Sequence, residues 1–201
     1  MAHQSPELLR LMDNARVHLP GALDSALKLE LFNVLDEFCQ RSKYWQEEIE
    51  ITTTADQTEY QIAGVEDGQI IDLLYVVNEN GSTVAASMPL LGTVVLRTEP
   101  EGGVVLTIGV AYTAVDPVST DDYPVIPDEL LHKYGKGILH GLVGAMMTHP
   151  AKPYSNQQLA VFHTRKFAGA VAQARADVRH KNLYDGQTWR FPGFAAGSQR
   201  N

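Results

Sequence analysis

The period of the apolar residues changes twice along this chain, and that double change limits the folds open to it. Between residues 5 and 45 apolar side chains recur every three or four positions, the spacing of a helix with one buried stripe. From Ile49 the period drops to two, with Ile49, Ile51 and Thr53 alternating with Glu50, Thr52 and Thr54, as in a strand with one face covered. After Pro127 the helical spacing returns and persists to about residue 182. An order of helices, strands, helices predicts an α+β fold. The flanking helices each carry an apolar stripe that must be covered, so they are expected to meet in one four-helix bundle. The strands between them are expected to form an inserted antiparallel β-sandwich or barrel. The implied organisation is 1–48 for the first half of the bundle, 49–117 for the β module, 118–184 for the second half and 185–201 for an extended tail.

The first helix has its own start and stop signals. Ser5 suits an N-cap, Pro6 the first helical position and Glu7 the positive end of the helix dipole, while Pro20-Gly21 ends the segment. Leu8, Leu9, Met12 and Val17 are its expected apolar face. The second helix is predicted from Asp24 or Ser25 to about Trp45, with Leu27, Leu31, Val34, Leu35 and Phe38 facing inward. Further strands are predicted over 59–63, 69–77, 83–87, 93–97 and 104–114. Asn78-Glu79-Asn80-Gly81 and Glu99-Pro100-Glu101-Gly102-Gly103 supply turns between them. Residues 116–127, with three prolines and three aspartates, read as a linker. The third helix follows to about Met147 and contains Gly135, Gly137, Gly141 and Gly144. Each interior glycine costs up to ~1 kcal/mol relative to alanine, so close approach to another helix is expected to recover that cost. A fourth helix is capped by Ser155 or Asn156. The final residues, among them Trp189, Phe191 and Phe194, follow no period; aromatics there need a cover, either their own helices or a partner.

Charge is segregated in the same three blocks. Residues 1–48 carry a net −3, residues 49–126 hold twelve acids against the single base Arg97 for −11, and residues 127–201 carry +6. The acidic middle repels nucleic-acid phosphates, whereas the basic last third can attract an acidic protein surface or the middle block of a neighbouring copy. No signal-peptide pattern opens the sequence, and the longest mostly apolar stretch, 137–147, falls short of the ~20 residues of a membrane span. The single Cys39 excludes an internal disulfide and fits a reducing compartment. A soluble protein made in the cytoplasm is therefore expected.

Catalytic and metal-binding patterns fail on spacing. Seven histidines include no HExxH and none lies beside the cysteine; His132 and His140, eight apart, read as core or surface residues. Gly135-Lys136-Gly137 lacks the earlier glycine of a phosphate loop and sits inside a helix. There is no GxSxG elbow, Cys39 follows Phe38 on an apolar helix face, and Asp121-Asp122 read as solvated linker residues. The expectation is a non-enzyme with no cofactor and no metal. A different class, a cell-wall or carbohydrate-active protein, would need paired carboxylates in a cleft of the β module, with Glu50, Glu59, Glu66 and Asp72 as candidates. A host regulatory or ligand-binding protein is a third class, expected to run as a small species on size exclusion.

Several stretches carry a resemblance. Residues 23–45, with Glu37-Phe38-Cys39 and then Tyr44-Trp45, are one. Ile126-Pro127-Asp128-Glu129-Leu130-Leu131 ahead of the glycine-rich helix is another. The third is Pro150-Ala151-Lys152-Pro153-Tyr154-Ser155-Asn156 before a helix containing Phe162, Arg165, Phe167 and Ala174. Over most of residues 5–185 the chain resembles the head-to-tail adaptor proteins of tailed bacteriophages, also described as head completion, connector or tail tubular proteins; the β module corresponds by position only. The resemblance implies a dodecameric ring beneath the portal protein, in the virion neck between capsid and tail, assembled in the host cytoplasm. It further implies a channel through which genomic DNA passes without sequence-specific binding, a downstream nozzle, tail-tube or neck protein as partner, and no membrane. By position, Trp189, Arg190, Phe191 and Phe194 become the expected portal-binding residues. Gly137, Gly141 and Gly144 become the helix glycines of ring packing, and Lys166, Arg175 and Arg179 the basic face toward the next copy.

Overall fold

A computed structural model describes residues 5–65, 68–115 and 123–181. Its elements are α1 (Pro6–His18), α2 (Asp24–Ser42), β1 (Gln46–Thr52), β2 (Glu59–Gln61), β3 (Gly68–Asn78), β4 (Ala86–Leu90), β5 (Thr93–Leu96), β6 (Val105–Ala114), α3 (Asp128–Met147) and α4 (Gln157–Lys181). The chain is thus mixed helix and sheet, with helices on both sides of the strands in sequence.

The four helices share one apolar core. Leu8, Leu11 and Met12 of α1, Leu27, Leu31 and Phe38 of α2, Leu130, Ile138 and Leu142 of α3, and Ala160, Phe167 and Val171 of α4 belong to a single buried cluster. The α1 stripe is Leu8, Leu11, Met12 and Ala15, with Leu19 just beyond. Leu9 and Val17, expected to face inward, are 39% and 79% exposed. Steps of three and four from Leu8 lead to Leu11, Met12 and Ala15, whereas Leu9 lies about 100° around the helix from Leu8. Ser5 occupies the N-cap of α1 but makes no capping bond; its hydroxyl donates instead to Asp128 in the first turn of α3. The starts of α1 and α3 are thereby tied together. In α4 the cap is Asn156, whose Oδ1 accepts from the Leu159 N–H at 3.0 Å.

α2 stops earlier than its apolar spacing predicts. Lys43 adopts φ 54°, and its N–H returns to the Cys39 carbonyl, the left-handed ending that glycine usually supplies. That turn takes Trp45 out of the helix and buries it against Tyr112, with ring centroids 5.6 Å apart.

The strands form two three-stranded antiparallel sheets, ordered β1-β6-β3 and β2-β5-β4. Their shared core contains Trp45, Tyr60, Ile62, Val94, Leu106 and Ile108. β6 is the central strand of its sheet and is buried along nearly its whole length. The Thr113 hydroxyl donates to Asp36 of α2 at 2.9 Å. At Gly109 the ring of Tyr75 covers the sheet so closely that a Cβ would lie 2.5 Å from it.

Candidate interaction surfaces

The glycines of α3 mark its seam with α4. A Cβ at Gly137 would lie 2.2 Å from the Ala170 Cβ; at Gly141 it would meet Val34 at 2.6 Å and Phe167 at 2.7 Å; at Gly144 it would meet the His163 Cβ at 3.1 Å. Positions rising on α3 meet positions falling on α4, so the two helices run antiparallel. Gly137, Gly141 and Gly144 are therefore filled from within one chain, by α4 and α2, and their small size needs no second copy to explain it. A Cβ at Gly135 would have no neighbour within 4 Å.

A polar tie closes the far end of the seam. Asp177 of α4 accepts from the Tyr134 hydroxyl at 2.6 Å, from the Lys133 ammonium at 2.6 Å and from Gln173 at 2.9 Å. The bond from Lys133, reinforced by those from Tyr134 and Gln173, lowers the Asp177 carboxyl to about 2. An aspartate depressed in the folded state adds stability that is complete above the unfolded value of 3.8 and disappears as pH falls through the folded one. Asp177→Asn is accordingly expected to melt at lower temperature than the wild type at pH 7. That gap should close as pH is lowered from about 4 toward 2, as followed by thermal melts in circular dichroism. A gap that stays constant down to pH 2 would show that the charge contributes nothing.

The outer side of α4 carries Arg165, Lys166, Arg175 and Arg179, all exposed, and no ion pair engages them among the described residues. They do not lie on one face. Lys166 and Arg175 are nine residues apart, two and a half turns, and so project to opposite flanks. Lys166 stands 5.6 Å over the ring of Phe162, which is 50% exposed beside Leu159. Arg175 and Arg179, one turn apart, share the other flank. The single basic face expected of Lys166, Arg175 and Arg179 thus becomes two patches.

The open face of the β1-β6-β3 sheet is acidic. Gln46, Glu47, Glu48, Leu74, Tyr75 and Gly109 line a recess of about 450 Å³, and the Tyr75 hydroxyl donates to Glu48 at 2.6 Å. Among the described residues, none of the carboxylates weighed for hydrolysis lines that recess. Glu50 lies two residues beyond Glu48 along β1, Glu59 is on β2 of the other sheet, and Asp72 of β3 pairs with Lys43 at 3.3 Å. Glu66 lies outside the described residues, as do Trp189, Arg190, Phe191 and Phe194.

One constellation was invisible in the sequence. His140 of α3 and His163 of α4 face each other with their Nδ1 atoms 2.8 Å apart, and the His18 ring at the end of α1 lies 6.1 Å from that of His163. No local pattern links these positions; only the antiparallel seam does. Among the described residues no group of three His, Cys, Asp or Glu side chains is placed to hold a metal ion, and no helix is long and apolar enough to cross a membrane.

No protein-family model matches the chain, and no curated protein shows significant similarity to it.

Proposed function

We propose that this chain is a structural subunit of a tailed-bacteriophage neck: a head-to-tail adaptor that assembles with copies of itself into a dodecameric ring beneath the portal protein. The ring extends the channel for genomic DNA and presents a platform to the downstream nozzle, tail-tube or neck protein. It has no catalytic role, and it acts in the virion after assembly in the host cytoplasm. In this reading the helices are a four-helix bundle and form the ring, while the strands form a small sandwich displayed as a lobe.

The observation that supports it best is the closure of one helical core by the helices on both sides of the strands, with the strand segment inserted between α2 and α3. A ring needs two different complementary surfaces on each copy. The acidic sheet face and the exposed arginines of α4 supply opposite charge. The net charge of −8 suits a channel that must release DNA, because bound phosphates would retard its passage. Trp189, Phe191 and Phe194 with Arg190 are the residue types that dominate protein interfaces, and they serve as the portal anchor.

The deciding experiment is co-sedimentation with isolated portal rings. Full-length protein is expected to pellet with the rings, and a variant lacking 185–201 to stay in the supernatant while keeping its helical circular dichroism. Equal binding by the truncated chain would remove the anchor. Failure of the full chain to bind any portal ring or to form rings in electron micrographs would remove the adaptor reading itself.

A further inference from the structure

The His140–His163 contact joins the helices along their glycine seam, where they are already closely packed. Gly144 admits the His163 Cβ at 3.1 Å and Gly141 admits Phe167 on the adjoining turn, so α3 and α4 cannot move closer to re-form a lost bond. At 2.8 Å between two Nδ1 atoms, one ring must donate and the other accept. A neutral pair satisfies this with complementary tautomers. A pair with one added proton still satisfies it, because the imidazolium donates to its neutral partner. A pair with two added protons points N–H at N–H, and the bond becomes a repulsion.

The surroundings do nothing to accommodate the second proton. α1 contributes His18, and α4 contributes Lys166 one turn beyond His163. α2 meets this part of α3 through the apolar Val34. Phe162 stands perpendicular to both rings, at 6.2 Å from His140 and 5.4 Å from His163. No carboxylate hydrogen-bonds or ion-pairs with either histidine among the described residues.

We propose that His140 and His163 form an acid-released latch between α3 and α4, which holds while the pair carries at most one extra proton and opens when both rings are charged. Burial lowers both pKa values below the ordinary 6.5, Lys166 and His18 lower that of His140 further, and His140 and His18 that of His163. The unfolded or opened chain therefore takes up protons first as the solution is acidified. The stability contributed by the pair is complete above about pH 6.5 and is lost as pH falls through the folded values. Opening releases the first half of α4, whose outer side already exposes Leu159 and Phe162, while Asp177 still holds the second half to α3.

Asparagine replaces the imidazole with an amide that bonds near the Nδ1 position and cannot be charged. Urea unfolding of wild type, His140→Asn, His163→Asn and the double variant between pH 7.5 and 5.0 tests the latch, alongside hydrogen exchange resolved along α4. For the wild type, the unfolding constant is expected to rise below about pH 6.5, by up to about tenfold per pH unit for each excess proton bound. Most of that rise should vanish in the double variant. In the wild type, protection referred to the intrinsic exchange rate at each pH should fall between pH 7.5 and 5.0 more over 157–170 than over 171–181. If His163→Asn does not fold, His140→Asn and an NMR titration of the wild-type rings decide the matter, the latch requiring two coupled steps. The same pH dependence in wild type and His140→Asn, or two rings that titrate independently near 6.5, would overturn the proposal.

Discussion

Gly137→Ala is expected to destabilise the protein by about 3 kcal/mol, although alanine is the better helix former. The cost comes from overpacking, which typically runs at about 1–3 kcal/mol and occasionally more. The new methyl would stand 2.2 Å from the Ala170 Cβ, where unstrained carbons keep about 3.5–4 Å. Ala170 has no rotamer through which to yield, so the helices themselves must separate, and the neighbouring contacts of Gly141 and Gly144 separate with them. Gly135→Ala provides the internal control. It lies in the same helix, has nothing within 4 Å of the added carbon, and should stabilise by about 0.5–1 kcal/mol. Replacing Ala170 by glycine in the Gly137→Ala protein restores the space at the price of one helical glycine, and should return it to within about 1 kcal/mol of wild type. Urea denaturation followed at 222 nm reads all four proteins. Equal stability of Gly137→Ala and Gly135→Ala would mean that the seam is not close-packed.

The glycines also show which parts of this fold a sequence reader can reach. Three interior glycines on one helix announce a close approach because their helix-propensity cost needs a compensation, and Gly137, Gly141 and Gly144 find it in α4 and α2. Gly135 carries the same signal and finds no such contact. The strand segment was legible because alternation at Ile49, Ile51 and Thr53 has no helical reading, and the predicted ladders at 59–63, 69–77, 93–97 and 104–114 overlap β2, β3, β5 and β6. The strand predicted at 83–87 was displaced toward β4. Thr83 makes only an isolated bridge to Val77, and the ladder begins at Ala86. Pro89 falls in the irregularity between Ser87 and Leu90, where the ladder asks nothing of its missing N–H. The end of α2 was missed because a lysine, not a glycine, takes the left-handed turn at position 43. Leu9 and Val17 misled because apolar character is a one-way guide to burial. The histidine pair was beyond reach, since 23 residues separate its members and only the antiparallel packing of α3 on α4 brings them together. For the same reason Lys166 and Arg175 read as one basic block along the chain and stand on opposite flanks in space.

Phe38→Ala is expected to cost about 4 kcal/mol, within the usual range for truncating a buried phenylalanine. Phe38 is fully buried, and its ring packs against Tyr134 of α3 at 5.4 Å and Phe167 of α4 at 6.3 Å. It is therefore a residue of the first helical segment held by the second, across the whole strand insertion. A cavity at this position loosens both halves of the helical core together. What the strands do is the informative part. Asp36, half a turn from Phe38, accepts from Thr113 of β6, and Trp45 follows α2 directly into the core of the sheets. These links are expected to make the sheets melt with the helices rather than after them. Trp45 reports on the sheets by fluorescence once the other tryptophan, Trp189, is replaced by phenylalanine. In that background the fluorescence and 222 nm transitions of Phe38→Ala should coincide and shift to lower urea by the same amount. If the helical signal shifts alone while Trp45 keeps its wild-type midpoint, the strand segment is a separately stable unit. The helical core and the inserted lobe would then be two cooperative bodies.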